Sequence, residues 1–277
     1  MPLRRIAFIN EKGGTGKTTL AVNMAAWLAL RQKRRVLLCD LDTQGHAAKA
    51  LGLDVRGLSP TVFDLLVDSN VTLSSVLRPS GIPGLDLLPS NKALAEFPGI
   101  AGTAPDRSRR LYDRLRGLQD YEFLFIDSPP SMGLTTLNAM VAATEIVIPV
   151  ALNYFSLDGC AEILDTVEKV RRDEHTELVV SMVVPTLYRR TKMADEILEK
   201  LRERFPRELA ATVLGYSVVI DEAQSHGRSI WEYAPRSHAA KLLEALGHEL
   251  LARGKGGAEV SDRAPYVAAE VSGSPLP

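Results

Sequence analysis

Residues 11–19 read Glu-Lys-Gly-Gly-Thr-Gly-Lys-Thr-Thr, and the spacing of these residue types suits phosphate binding. Glycines in such a loop let backbone N–H groups converge on an anion, and the dipole of a following helix adds positive potential. Lys17 is placed to reach the β- and γ-phosphates of a nucleotide, and the Thr18 hydroxyl is placed to hold Mg²⁺. The predicted nucleotide-binding residues are Lys12, Gly13, Gly14, Thr15, Gly16, Lys17, Thr18 and Thr19.

The loop departs from the ordinary phosphate-binding pattern at one position. The pattern G-x-x-x-x-G-K-[ST] requires glycine at position 11, where this chain has Glu11, and Lys12 stands directly before the Gly-Gly pair. A chance glycine-rich turn is the alternative, but the apolar run 6–9 before the loop and the helical pattern after it favour a P-loop with two lysines. Asn10, at the end of that run, is expected to brace the loop backbone.

Two further apolar runs end in aspartate, at Asp40 and at Asp127. An aspartate at a strand tip can face the hydration shell of Mg²⁺ opposite the P-loop threonine, and Asp127 fits this role best. Asp42 lies further into the loop after the first run, where it could orient an attacking water. Asp40 has an alternative role, which is to cap a neighbouring stretch of backbone.

Hydrophobic patterning predicts the elements that must position these side chains. The predicted strands are 3–10, 35–40, 85–89, 123–127, 146–150, 178–184 and 211–214. The predicted helices lie near 17–31, 61–67, 106–118, 133–142, 156–172, 191–205 and 236–252. Near-continuous apolar strands that alternate with helices predict an α/β fold, a doubly wound and mostly parallel sheet with helices on both faces. Ligands of such sheets bind at the carboxyl ends of the strands.

Composition narrows the classes of protein that remain. The chain has 277 residues and 45% hydrophobic content, which we interpret as one ATPase-sized domain over 1–253 and a disordered tail over 254–277. No apolar run is long enough for a membrane span, and the N-terminus does not read as a secretion signal. The two cysteines, Cys39 and Cys160, lie in apolar stretches, which is typical of reduced core residues in a cytoplasmic protein. Two cysteines also argue against a zinc or iron–sulfur site. The net charge of −1 gives no overall attraction to nucleic acid.

The motifs K-G-G-T-G-K-T-T, D-L-D-T-Q-G and F-I-D-S-P-P resemble those of the ParA/Soj branch of the ParA–MinD superfamily of deviant Walker A P-loop ATPases. Four further blocks resemble this family in order, and the resemblance spans about residues 3–252. These blocks begin at Asn153, Thr186, Asp221 and Tyr233.

The resemblance implies a homodimer that closes on ATP and Mg²⁺. Lys12 of each subunit would reach the partner's nucleotide and supply a cation in trans, as an arginine finger does. Lys17 would bind phosphates within its own subunit. The implied activity is an ATPase that is weak alone and is stimulated by a ParB-like or other partner protein.

The resemblance also assigns roles to the carboxylates. Asp42 matches the family's hydrolytic aspartate, so Lys12, Lys17 and Asp42 form the predicted catalytic set. Asp40 matches the adjacent aspartate on the Mg²⁺ side. The predicted metal residues, acting directly or through water, are Thr18, Asp40 and Asp127.

The implied output is partitioning or positioning of DNA or another large cargo, through cycles on and off nonspecific DNA in the cytoplasm at the nucleoid. Arg190 matches a DNA-contacting arginine of the family. A second basic segment, I-P-R-N-V-R-L in the family, reads Leu-Gly-Tyr-Ser-Val-Val-Ile at 214–220 and lacks both arginines. Each lost cation weakens phosphate contacts. DNA binding would then use other basic residues, for which the candidates are Arg202, Arg228, Arg236 and Lys241.

Two other functions stay open at this stage. A MinD-like membrane cycle would need a C-terminal amphipathic helix with a basic face and an apolar face. The sequence of the tail does not predict such a helix. A scaffold-type nucleotide switch would regulate a partner complex without binding DNA. Electron transfer of the iron-protein kind is excluded because the bridging cysteines are lacking. The sequence identifies neither the cargo nor the partner.

Overall fold

The computed structural model of the chain describes residues 2–153, 156–174 and 177–253. Within this part, seven strands form a sheet in the order β3-β4-β2-β5-β1-β6-β7. The pairing of β3 with β4 is antiparallel, and every other pairing is parallel. The strands are β1 (Arg4–Phe8), β2 (Val36–Asp40), β3 (Arg78–Pro79), β4 (Leu85–Leu88), β5 (Phe123–Asp127), β6 (Glu145–Ala151) and β7 (Val179–Thr186).

The helices are α1 (Lys17–Gln32), α2 (His46–Lys49), α3 (Val62–Val67), α4 (Leu73–Val76), α5 (Phe97–Ala101), α6 (Arg110–Leu115), α7 (Leu134–Ala142), α8 (Ser156–Glu174), α9 (Lys192–Arg204), α10 (Val218–Ser225), α11 (Ile230–Tyr233) and α12 (His238–Arg253). A 3₁₀ turn, Lys92–Glu96, precedes α5.

Helices cover both faces of the sheet, as predicted. Successive strand residues point to opposite faces, so Ile6 and Phe8 pack with α1, α2 and α10–α12, whereas Ala7 and Ile9 pack with α3–α9. The predicted doubly wound, mostly parallel α/β fold is therefore confirmed.

Helix α1 fixes the position of the glycine loop that precedes it. It is buried along most of its length between the sheet and α12. Gly247 permits this packing, because a Cβ at that position would lie 2.5 Å from Cε3 of Trp27. The helix ends at Gln32, and the backbone N–H of the next residue, Lys33, donates to the Leu28 carbonyl from a left-handed conformation. Because α1 is packed in this way, it places the preceding loop at the sheet edge.

Several predicted boundaries were wrong. The predicted strand 211–214 is absent, and the neighbouring chain makes only two isolated bridges, Val183 to Leu209 and Tyr188 to Gly215. The predicted helix 106–118 contracts to α6, because turns occupy 105–109. Sequence patterning missed β3 and the short helices α2, α4, α5, α10 and α11, since elements of so few residues show no clear period.

None of the helices in the described residues is long and apolar enough to cross a membrane. The tail predicted over 254–277 lies outside the described residues, as do residues 154 and 155 of the motif that begins at Asn153.

Candidate active site

The carboxyl ends of β1, β2 and β5 meet at one edge of the sheet. In the parallel register Asp127 is the partner of Phe8 on one side and of Asp40 on the other. The glycine loop follows β1, and the two aspartate-tipped strands lie beside it. The sheet topology thus brings together groups that are far apart in the sequence.

The glycine loop is held from both sides. Gly14 and Gly16 have φ values of 68° and 90°, in the left-handed region that favours glycine. The Asn10 side chain donates to the Pro149 carbonyl at 2.7 Å and accepts from the Lys12 N–H at 2.9 Å. The predicted bracing role of Asn10 is therefore confirmed.

A second anchor comes from β7, where the Thr186 hydroxyl donates to the Thr15 carbonyl at 2.8 Å. Thr186 is fully buried, and it lies 171 positions from Thr15 in the sequence. This hydrogen bond connects the loop after β1 to β7, the strand at one edge of the sheet.

Lys17 turns back onto its own loop. Its Nζ donates to the Lys12 carbonyl at 3.0 Å, and the residue is 6% exposed. Burial lowers the pKa of the Lys17 ammonium, and the charges of Asp127 and Asp42 partly offset this effect. A partly desolvated ammonium at this place is suited to pair with an anion that enters the loop.

Thr18 and Asp127 form the contact expected of a Mg²⁺ site. The Thr18 hydroxyl donates to Oδ2 of Asp127 at 2.6 Å. Asp127 is fully buried, and its Oδ1 is a buried acceptor without a hydrogen-bond partner in the described structure. Burial, and next the charge of Asp40, raise the pKa of Asp127 well above its ordinary value.

This donor set fits Mg²⁺, which binds proteins through one or two carboxylate or hydroxyl groups and keeps several waters. A cation beside Asp127 would compensate the buried charge and satisfy the orphaned oxygen. The described residues include no group of three His, Cys, Asp or Glu side chains that could hold a metal, so an all-protein cage is not present there.

The carboxylate of Asp40 accepts hydrogen bonds from three backbone N–H groups. Its Oδ1 accepts from the Asp42 N–H at 2.9 Å, and its Oδ2 accepts from Ala47 and Ala48 at 3.0 and 3.3 Å. This is the capping role that the sequence left open as an alternative. Burial raises the pKa of Asp40 to about 7, which the backbone N–H donors partly oppose. Its assignment to the Mg²⁺ side stays a prediction.

Asp42 extends from the loop after β2 towards the cleft. Its Oδ1 accepts from the Gln44 N–H at 2.9 Å, and its Oδ2 lies 3.0 Å from Nδ1 of His46. The side chain of Asp42 is 11% exposed, against 56% for His46. The Asp42 carboxylate is therefore fixed in direction while it remains open to the cleft.

Most of the residues described above line a cleft of about 530 Å³, whereas Lys12, Asp40 and Asp127 are not part of its wall. The part of its wall that sequence analysis predicted is Gly13, Gly14, Thr15, Gly16, Lys17, Thr18, Thr19 and Asp42. The part that sequence analysis missed is His46, Lys49, Ala50, Pro130, Gln224 and Ser225.

Gln224 shows why those residues escaped prediction. Its Nε2 donates to Oγ1 of Thr19 at 3.0 Å, from a helix that lies 205 positions further along the chain. Gln224 belongs to the block that begins at Asp221, but nothing in that block indicates Thr19 as its partner, because the fold alone brings the two residues together.

The candidate DNA-contacting residues lie on different layers. Arg202 lies on α9 and pairs with Glu199, whereas the segments that carry Arg228, Arg236 and Lys241 belong to the opposite layer, with α10–α12. Arg190 follows β7 in an exposed loop. All five basic side chains are exposed. Arg228, Arg236 and Lys241 therefore belong to one layer of the fold, and Arg202 belongs to the other.

Known proteins resemble this chain over most of its length. The sequence model of a family described as an AAA domain matches residues 3–180. The sporulation initiation inhibitor protein Soj of Bacillus subtilis is 36% identical over 251 residues, which cover 90% of this chain and 98% of the relative. The chromosome-partitioning ATPase Soj of Treponema pallidum is 37% identical over 252 residues, with coverage of 90% and 98%.

The chain belongs to the ParA/Soj family of ATPases. The predicted family is thereby confirmed, and so is the prediction of an ATPase. A structural relative extends the comparison to the fold. The crystal structure of cobyrinic acid a,c-diamide synthase from Mycobacterium smegmatis, with a bound ATP analogue and magnesium, matches at a TM-score of 0.77 and 30% identity, covering 92% of this chain and 97% of that one. The P-loop and the three aspartates of this ParA/Soj chain all lie within residues 3–180.

Proposed function

We propose that this protein is an ATP-dependent, dimerising ATPase that partitions DNA or positions another large cargo. The observation that carries the proposal is the Thr18–Asp127 pair at the edge of the two-lysine loop, with the second oxygen of Asp127 buried and unpartnered. Relatives named as chromosome-partitioning ATPases support the choice of output.

ATP and Mg²⁺ are the proposed cofactors, and the bound Mg²⁺ would neutralise phosphate charge. Thr18 and Asp127 would hold the metal, directly or through water. The backbone N–H groups of residues 13–16 would bind phosphate oxygens, and Lys17 would exchange its contact with the Lys12 carbonyl for a phosphate. Thr19, held by Gln224, would complete the nucleotide contacts.

Hydrolysis would need two further groups. Asp42 would orient the attacking water, since its carboxylate faces the cleft and still has acceptor capacity. Lys12 of each subunit would act on the nucleotide of the other, which couples turnover to dimerisation. A ParB-like or other partner protein would stimulate this slow reaction.

The proposed surface on which the ATP-bound dimer assembles is nonspecific DNA, at the nucleoid in the cytoplasm. Exposed cations at Arg190, Arg228, Arg236 and Lys241 can contact phosphates without reading sequence. A dimer doubles the number of such contacts, so ATP binding would raise DNA affinity by avidity.

A second candidate is a nucleotide-gated scaffold that binds a protein partner instead of DNA. One observation favours it. In the segment that lacks the usual arginines, Tyr216 and Val218 are 48% and 55% exposed, and the Arg189 guanidinium lies 4.9 Å from the Tyr216 ring centroid. Exposed apolar side chains are more typical of protein contacts than of phosphate contacts.

DNA binding of the purified protein over a salt series, with ADP and with a nonhydrolysable ATP analogue, distinguishes the two. Binding that requires the ATP analogue, weakens steeply with salt and ignores sequence supports the partitioning function. A Lys17→Met variant is the matched control and should not respond to nucleotide. Absence of binding at low salt, while the analogue still dimerises the protein, would overturn the DNA-based function in favour of the scaffold.

A further inference from the structure

His46 makes a direct side-chain contact with Asp42. Its Nδ1 lies 3.0 Å from Oδ2 of Asp42, and His46 also lines the cleft that contains the P-loop. Sequence analysis assigned no role to this histidine. The contact connects it to the carboxylate that is predicted to orient the attacking water.

The donor and acceptor groups of the two side chains determine the direction of their hydrogen bond. An ionised carboxylate can only accept, so Nδ1 of His46 must carry the shared proton. Oδ1 of Asp42 is already engaged by the Gln44 N–H. The carboxylate has about four acceptor sites, and two of them remain free to bind water in the cleft.

The local backbone keeps His46 at this place. Gly45 adopts φ 63° and donates its N–H to the Asp42 carbonyl at 2.9 Å, so the chain turns just before His46. A Cβ at Gly45 would lie 2.8 Å from the Ser90 carbonyl oxygen, so the turn needs glycine. The following residues, Ala47 and Ala48, are anchored through their N–H groups to the buried carboxylate of Asp40. His46 is thus the first residue of a short helix whose start is tied down.

We infer that His46 is a positioning residue for ATP hydrolysis, which acts by holding the Asp42 carboxylate in the orientation that presents its free lone pairs to water. This inference rests on the proposed role of Asp42. The terminal torsion of aspartate is broad and two-fold, so one hydrogen bond from Gln44 leaves the carboxylate free to turn. The second bond, from His46, removes that freedom.

Three substitutions at His46 separate this role from others. Asn places an N–H donor where Nδ1 of histidine stands, Gln places one where Nε2 stands, and Ala removes both. The side chain is 56% exposed, so none of the three leaves a cavity in the core. Steady-state kcat and KM for ATP are measured with Mg²⁺, and nucleotide affinity is measured separately from the fluorescence of N-methylanthraniloyl-ADP.

We expect His46→Ala to lower kcat about tenfold, the loss typical of a hydrogen bond to a charged group at a partly exposed site. His46→Asn should retain kcat within about twofold, whereas His46→Gln should resemble His46→Ala. KM and ADP affinity should change less than about twofold in all three, because His46 acts through Asp42 and not through the phosphates.

A double-mutant cycle tests the coupling. In an Asp42→Ala background, His46→Ala should change kcat by less than about twofold, since no carboxylate remains to be positioned. Equal losses in His46→Asn and His46→Ala would overturn the inference, and retention of kcat in His46→Gln would then assign the role to Nε2. Unchanged kcat in His46→Ala would overturn it as well. If wild-type protein neither binds nor hydrolyses ATP, the proposed function fails instead.

Discussion

Thr18 and Asp127 are joined by a 2.6 Å hydrogen bond although they lie 109 positions apart. The bond leaves Oδ1 of Asp127 buried and without a partner. A buried carboxylate with an orphaned oxygen destabilises the nucleotide-free fold, and a bound cation would remove this cost. The first prediction follows from that relationship.

We expect Asp127→Asn to weaken Mg²⁺–ADP binding at least about tenfold, because the amide removes a metal-binding charge while it keeps the shape of the side chain. The same variant should unfold at an equal or higher temperature than wild type when both are free of nucleotide. Thermal unfolding with and without Mg²⁺–ADP measures both effects.

The gain in nucleotide-free stability should depend on pH. A carboxyl group whose pKa is raised on folding binds more protons in the folded than in the unfolded state, so its contribution to stability falls as pH rises from about 4. Asn cannot titrate, so the difference in unfolding free energy between Asp127→Asn and wild type should be larger at about pH 7 than at about pH 5. A difference that shrinks over this range would contradict the assignment.

The glycine loop and the strand-tip aspartates could be predicted because each depends on a local pattern. The wall opposite the loop could not, since Lys49 and Gln224 reach the cleft only after α2 and α10 have packed. Asp40 combines a feature that the local sequence predicts with one that depends on the fold. Its place at a strand tip was predictable, but the N–H groups of Ala47 and Ala48 that occupy its carboxylate depend on the turn at Gly45.

The second prediction concerns Lys17, whose ammonium is buried and donates to the Lys12 carbonyl. Lys17→Met keeps an unbranched side chain that is one atom shorter and removes its charge. We expect loss of measurable ATP hydrolysis and at least a tenfold loss of nucleotide affinity, as for any P-loop that loses its phosphate-binding cation. The free protein should stay folded, which circular dichroism checks. Wild-type affinity in this variant would mean that phosphates bind elsewhere.

The third prediction separates Lys12 from Lys17. Lys12→Ala keeps the backbone carbonyl that accepts from Lys17, so ADP should still bind to the variant. Hydrolysis and dimerisation driven by an ATP analogue should be lost, because Lys12 is proposed to act on the nucleotide of the partner. Light scattering after gel filtration measures the dimer, and normal dimers with normal turnover would contradict the trans role.

The fourth prediction concerns Asp42. Asp42→Ala should abolish most hydrolysis while it leaves ATP binding intact, so the variant should accumulate as an ATP-bound dimer. The buried neighbour Asp40 keeps its bonds to Ala47 and Ala48 in this variant, and the fold should therefore persist. Bound nucleotide recovered after gel filtration should be ATP in the variant and ADP in wild type. Unchanged hydrolysis would assign the water-orienting role to another group.

The fifth prediction uses the two layers of the fold to locate DNA binding. Arg228, Arg236 and Lys241 lie with α10–α12, whereas Arg202 lies on the opposite layer and already pairs with Glu199. Removing a cation that contacts a phosphate lowers the dependence of log affinity on log salt by about one. We expect Arg236→Ala and Lys241→Ala each to show this change in the presence of an ATP analogue.

Arg202→Ala is the matched control, since it also removes one exposed basic side chain. It should leave the salt dependence within experimental error of wild type. If Arg202→Ala lowers the slope and Arg236→Ala does not, the DNA-binding surface lies on the α9 layer instead. Equal changes in both would indicate diffuse electrostatic attraction in place of a defined contact surface.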